Sequence, residues 1–291
     1  MLIIIIQFLL ILVSIAFLTL FERKLISNFQ FRVGPNFLFF IQPLFDGIKL
    51  FLKNILFNNK SDFLIYLVSS FAMLFLSLIY FLFIPIPFIN LSWFDMYFGL
   101  FWLITIGCLS IYPIIWGGWS SFNNFAILGS IRGIIQSLSY EILIPFILFI
   151  FGIISCSFNF FDILSLQVFN WNLFILVLVF PFLFIIVLME TNRIPFDLPE
   201  SESELVSGYN VEYSSILFVL FFLGEYLHLI IHCFILSSLF FNGLVLLSLF
   251  ILYLFIIIRS SFCRIRWFDI ILFTWRELLI FVLILSMFYF S

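Results

Sequence analysis

Eight apolar runs divide this chain, at about residues 1–21, 63–89, 97–117, 138–158, 170–189, 212–236, 239–258 and 270–290. Each meets the roughly 17–25 residues that a helix needs to cross a bilayer. Backbone N–H and C=O groups in hydrocarbon must be satisfied within the segment, so runs of this length specify helices rather than open strands. The rest of the composition agrees. Hydrophobic residues make up 65% of the chain and charged residues 9%, with a mean hydropathy of +1.33, against roughly 45–50% apolar and 25% charged in soluble domains. The expectation is an all-α, polytopic integral membrane protein of about eight transmembrane helices, one transmembrane domain over residues 1–291. The first run would extend about 30 Å as a helix and has no small-residue cleavage pattern, so it is expected to remain as the first span. Phe alone accounts for 48 residues, a bias that no packing rule requires and that suits T-rich codons of an organelle-encoded gene.

One connection, residues 22–62, is long and too polar to span. Within it Leu44, Phe45, Ile48, Phe51 and Leu52 recur at helical spacing, with Asp46, Lys49 and Lys53 off that stripe and Pro43 suited to a first turn. The pattern fits an amphipathic helix lying on the membrane surface, or one packed on neighbouring protein. The basic residues fix an expected orientation. Arg23, Lys24, Arg32, Lys49, Lys53 and Lys60 lie in the first connection, Arg132 and Arg193 beside the third and fifth, and Arg259, Arg264 and Arg266 in the seventh. The connections near 90–96, 159–169 and 237–238 hold no Lys or Arg. By the positive-inside rule, the odd connections face the matrix or cytoplasm and both termini face the opposite side.

Against this apolar background, residues 190–213 hold six of the chain's fifteen carboxylates. A charged segment tethered between two spans is a functional-site candidate. Ser201 and Glu204 also match a capping box, which gives Glu204 a local reading, whereas Asp197, Glu200 and Glu202 have none. Their crowding makes protonation sensitive to a nearby charge. Glu141 begins the fourth run, Glu190 ends the fifth and Glu225 sits within the sixth. Carboxylates at such depth cost several kcal/mol unless they line water or take up a proton, so the three suggest a proton path; Glu141 and Glu190 also fit hydrated helix ends. Glu225, His228 and His232 share one helical face, but no fourth metal ligand accompanies them. Gly117, Gly118 and Gly129 read as turn or close-packing glycines in a polar loop. The four cysteines show no C-x-x-C, and no phosphate- or dinucleotide-binding glycine motif occurs, so an iron–sulfur ligand set, a disulfide framework and nucleotide or nicotinamide binding are not indicated for this chain, and no nucleic-acid partner is expected.

Five strings, ERKLISNFQFRVGPN with QPLFDGIKLFLK (22–53), GGWSSFNNFAILGSIRGIIQSLSYE (117–141), ETNRIPFDLPESESELVSGYNVEY (190–213), LGEYLHL (223–229) and RSSFCRIRWFD (259–269), occur in an order that resembles the subunit 1 family of respiratory complex I, NADH:ubiquinone oxidoreductase. The resemblance covers nearly the whole chain. It implies a membrane-arm subunit of the mitochondrial inner membrane at the junction with the hydrophilic arm, forming much of the ubiquinone tunnel and coupling quinone reduction to proton translocation. The substrate would be ubiquinone, with flavin and iron–sulfur clusters on partner subunits. Partners would be the quinone-site subunits of the hydrophilic arm, adjacent small membrane-arm subunits and membrane lipids, with both termini in the intermembrane space. Carried onto this chain, the quinone cavity would be bordered by Glu22, Arg23, Arg32, Asp46, Arg132, Arg193, Asp197, Glu200, Glu202 and Glu204, and the acidic path would begin at Glu141, Glu190 and Glu225. In the seventh connection the family commonly reads Y-P-R-F-R-Y-D, whereas this chain has Phe262 to Trp267 with Phe268 inserted before Asp269. His228 and His232 lie outside the family pattern. The membrane anchor of an energy-converting hydrogenase and a stand-alone ion channel or carrier remain the alternative functional classes.

Overall fold

The computed structural model describes residues 2–35, 41–55, 61–84, 96–168, 170–199 and 208–290. Among these every regular element is helical. In chain order they are α1 (Leu2–Phe29), α2 (Gln42–Leu52), α3 (Phe63–Leu82), α4 (Gly99–Ser120), α5 (Asn124–Ser155), α6 (Phe160–Leu166), α7 (Asn172–Ile175), α8 (Val179–Glu190), α9 (Ser215–Phe240), α10 (Val245–Ser261) and α11 (Trp267–Tyr289). Five of them, α3, α4, α5, α9 and α11, are long and apolar enough to cross a membrane. The other three expected spans fall on α1 and on the shorter apolar helices α8 and α10. The all-α polytopic expectation therefore holds.

The differences from the expected boundaries trace largely to proline. A proline inside a helix removes one hydrogen bond and its ring collides with the carbonyl four residues earlier. The run expected at 170–189 is broken into α7 and the 12-residue α8, whose first turn holds Pro181. Pro113 marks a turn at Ser110 within α4, and Pro145 a turn at Ile142 within α5. The second break falls beside Glu141, whose carbonyl is the one that Pro145 displaces. The stretch between the third and fourth runs, read as a polar loop, is also helical: α5 starts at Asn124, where the Asn123 side chain accepts a hydrogen bond from the Phe125 amide at 3.1 Å. Its polar residues Ser130, Gln136, Ser137 and Ser139 are buried against other helices. Gly117, Gly118 and Gly129 thus lie within helices, as close-packing positions.

The most buried long helix is α9, which contacts α1, α2, α3, α8 and α10. Its closest approach is to α3 at Gly224, where a Cβ would sit 2.8 Å from Met73 Cγ and 3.2 Å from the Met73 backbone. The main core gathers Tyr80, Leu103, Ile147, Leu183, Ile186, Leu227, Ile231 and Ile251 from surrounding helices. Leu64, Phe75, Leu246 and Met287 point outward and exposed, which suits a hydrocarbon surround. Helix α2 forms where the sequence pattern places it, packs on α1 and α9, and leaves Phe45, Phe51 and Leu52 of its apolar stripe exposed. The break between helical geometries in α11 is a π-helical stretch, Phe273–Leu278, containing Arg276 and Glu277.

Candidate functional site

Two groups of polar side chains lie in and beside this bundle, joined by the residues that follow α8. The first surrounds Glu22, one residue past the first apolar run. Its carboxylate is buried at 6% exposure and pairs with the Arg259 guanidinium of α10. Its other oxygen accepts a hydrogen bond from the Tyr226 hydroxyl of α9 at 2.6 Å. The Arg193 guanidinium stacks over the Tyr226 ring, 4.2 Å from its centroid. Burial alone would raise the Glu22 carboxyl, but the charges of Arg193 and Arg259 outweigh it and hold the group below the ordinary carboxylate range. One carboxylate on α1 thus gathers two guanidinium groups and a phenol from two other helices and a connecting segment.

The other expected cavity residues divide around this group. Arg23 pairs with Asp46 at 3.1 Å, an exposed bridge between α1 and α2. Arg32 is exposed beyond the end of α1, and Arg132 is half-buried on α5. Asp197 is buried and accepts a hydrogen bond from Arg264 at 3.1 Å, while the Ile265 amide donates to the Pro195 carbonyl at 3.1 Å. The segment after α8 is therefore tied to the segment after α10. Glu200, Glu202 and Glu204 lie outside the described residues. An apolar cavity of about 610 Å³ between α8, α10 and α11 is lined by none of the expected quinone-site residues.

The second group lies inside the bundle. Glu141 and Glu190 line one cavity of about 30 Å³ together with Tyr80, Gly107, Cys108 and His232. Glu190 and Glu225 line another of about 20 Å³ with Ser110, Ser137, Tyr140, Asn192 and His228. A void needs about 10–15 Å³ on this measure to hold a water, so each cavity has room for at least one. Glu190 borders both cavities and connects the other two acids. Glu225 accepts a hydrogen bond from the Tyr209 hydroxyl. Glu190 approaches His232 Nε2 at 3.3 Å, and His232 in turn meets His228 Nδ1 at 3.1 Å. The two histidines are thus held within the bundle, and no group of three metal-ligating side chains gathers among the described residues.

Several of these partners could not be singled out from the sequence. Gln136, buried on α5, donates from Nε2 to the carbonyls of Met189 and Phe196, both at 2.8 Å. This clamp fixes the segment that carries Glu190, Arg193 and Asp197. Gly129 lets α5 approach the 208–210 turn so closely that a Cβ would stand 2.9 Å from the Tyr209 amide and 3.0 Å from Gly208. That approach sets Tyr209 against Glu225. Arg259, Tyr226, Tyr209 and Gln136 lie far along the chain from most of the acids they serve; only the i, i+4 spacing of His228 and His232 offered a visible cue.

Comparison with known proteins supplies the family. A family model described as NADH dehydrogenase matches residues 2–290. The chain is 38% identical over 289 residues to the NADH-ubiquinone oxidoreductase chain 1 of Chondrus crispus, a match covering 92% of this chain and 88% of that protein. It is 39% identical over 290 residues to the chain of the same name from Apis mellifera ligustica, covering 96% and 92%. The corresponding protein of Myxine glutinosa is 37% identical over 298 residues, covering 98% and 93%. With its apolar helices and this similarity along nearly its full length, the chain belongs to the NADH dehydrogenase family, as a multi-pass membrane subunit of the NADH-ubiquinone oxidoreductase chain 1 type.

Proposed function

We propose that this chain borders the ubiquinone path of a mitochondrial inner-membrane NADH:ubiquinone oxidoreductase and passes the charge change of quinone reduction to a proton route through Glu141, Glu190 and Glu225. The observation that carries the reading is the position of Glu190, on the wall of both internal cavities and three residues before Arg193. Arg193 belongs to the Glu22 cluster through Tyr226. Flavin and iron–sulfur clusters on partner subunits would supply the electrons; the residues of this chain supply charge and proton positions.

Reduction of a quinone headgroup to quinol takes up two electrons and two protons, so negative charge develops transiently where protons must arrive. Arg193 and Arg259 favour that charge, with Glu22 keeping both guanidinium groups in place. Any shift of Arg193 toward a new negative charge pulls on the segment from Glu190 to Asp197. Gln136 anchors that segment on both sides of Arg193, which makes it a stiff lever rather than a loose loop. A change in charge or position at Glu190 then alters proton affinity along both water-sized cavities. On this reading Asp197, Glu200, Glu202 and Glu204 form the acidic rim of the headgroup region, and the positively charged connections face the matrix.

The test is Glu225→Gln in the assembled complex, with proton translocation measured beside quinone reduction in sealed vesicles. Gln preserves shape and can still accept from Tyr209, but it cannot carry a proton. Assembly and NADH oxidation by a hydrophilic artificial acceptor should persist while proton translocation and coupled quinone reduction fall. A variant pumping at the parental rate and proton-to-electron ratio removes Glu225 from the route.

A further inference from the structure

We infer that His228 and His232 form an imidazole relay that carries protons between Glu190 and the cavity beside Glu225, in parallel with cavity water. The inference rests on the three-glutamate route above and names two residues to which the family resemblance gives no role. Both rings are nine-tenths or more buried, at 6% and 2% exposure, on the face of α9 turned toward the acids. His232 Nε2 is the meeting point, 3.3 Å from Glu190 Oε1 and 3.1 Å from His228 Nδ1. His232 lines the cavity shared by Glu141 and Glu190, and His228 the cavity shared by Glu190 and Glu225. His228 Nε2 is buried without a hydrogen-bond partner in the protein. Glu225 and His232 are seven residues apart on one helix, about 10 Å along its axis, so the two rings run along α9 beside the cavity that Glu190 and Glu225 share. Tyr80 packs against both rings, at 5.2 Å and 5.4 Å between centroids.

The transfer balances with the groups present. A protonated Glu190 gives its proton to the Nε2 lone pair of neutral His232 and becomes a carboxylate. The His232 imidazolium turns its Nε2–H from Glu190 toward His228 and passes the same proton to Nδ1 of His228, whose neutral form carries its hydrogen on Nε2. His228 then releases the Nε2 proton to water in the second cavity, from which the Glu225 carboxylate takes it up. The net change is one proton moved from Glu190 to Glu225. His232 ends as it began, because it receives and releases at one nitrogen, whereas His228 ends in the other tautomer and must reset before the next transfer. The relay therefore delivers one proton each time His228 resets.

The experiment compares His232→Gln, His228→Gln and Glu225→Gln in the assembled complex, with coupled quinone reduction, proton translocation and the solvent deuterium isotope effect on both. Gln fills much of the same space and hydrogen-bonds, but it does not shuttle protons. Each histidine variant should lower coupled turnover by about tenfold, less than the roughly 10²–10⁴-fold usual for acid–base groups because cavity water remains. Its isotope effect should rise as proton transfer becomes limiting, a change that a purely structural role would not produce. If His232→Gln fails to assemble, His228→Gln decides by the same two readouts. Parental turnover and isotope effect in the histidine variants, with pumping lost in Glu225→Gln, would overturn the relay and leave the glutamate route standing. Parental pumping in Glu225→Gln would overturn that route and the relay with it.

Discussion

Replacing Glu22 with Gln tests the charged cluster most directly, because one carboxylate there holds together α1, α9, α10 and, through Tyr226, the segment after α8. The substitution keeps an acceptor for Tyr226 but leaves Arg259 and Arg193 without their shared counter-charge. Removing one partner of a buried ion pair costs about 3–5 kcal/mol. The Arg259 side chain is 32% exposed, so water recovers part of this, and the expected cost is about 2–3 kcal/mol. At about 1.4 kcal/mol per tenfold, the balance between the closed cluster and its opened form shifts by about 30- to 140-fold, an upper bound for the 190–199 segment that joins the cluster through Arg193. Amide hydrogen exchange of peptides covering that segment, measured on the purified complex, should rise by up to this factor while exchange in α5 changes little. The pH dependence has a definite sign. The Glu22 carboxyl is held below its ordinary range in the folded protein, so its stabilisation is fully present above that range and is lost as pH falls through the lowered value. Parent and variant should therefore differ at neutral and mildly acidic pH and converge only in stronger acid. Unchanged exchange in Glu22→Gln at neutral pH, with parental quinone reduction, would refute the idea that this carboxylate organises the cluster.

Two further outcomes follow from the packing and the charge pattern. Gly129→Ala would push a methyl group against the Tyr209 amide and Gly208 at 2.9–3.0 Å; coupled pumping should fall toward the Glu225→Gln level as Tyr209 moves off Glu225, and a fully active, normally assembled variant would remove the turn from the site. In vesicles of a background without native cysteines, Arg32→Cys and Val168→Cys should label from opposite sides, Arg32 from the matrix side; labelling from the same side would overturn the orientation drawn from Lys and Arg.

Much of this architecture was visible in the sequence because burying an apolar helix in a bilayer leaves a long continuous signal, and because a carboxylate inside such a helix is too costly to pass unnoticed. Glu141, Glu190 and Glu225 stand out for that reason alone. What the run lengths obscure is continuity. Pro181 interrupts a run that hydropathy reads as unbroken, and α5 continues through Ser130, Gln136 and Ser137, which a hydropathy window takes for a loop although helix packing buries them. The acids' partners are harder still, since Tyr226 and Arg259 reach Glu22 across sequence separations of 204 and 237 residues. A contact of that range leaves no local pattern, and only the packing of α1, α9 and α10 creates it. The same logic explains why Glu225 and Tyr226, adjacent in sequence, serve different groups. Successive residues on a helix point about 100° apart, so one faces Tyr209 and the inner cavity and the other faces Glu22 and Arg193. Helix α9 thereby places the proposed proton route and the charged cluster on two faces of one element, and a displacement of that helix would be felt at both.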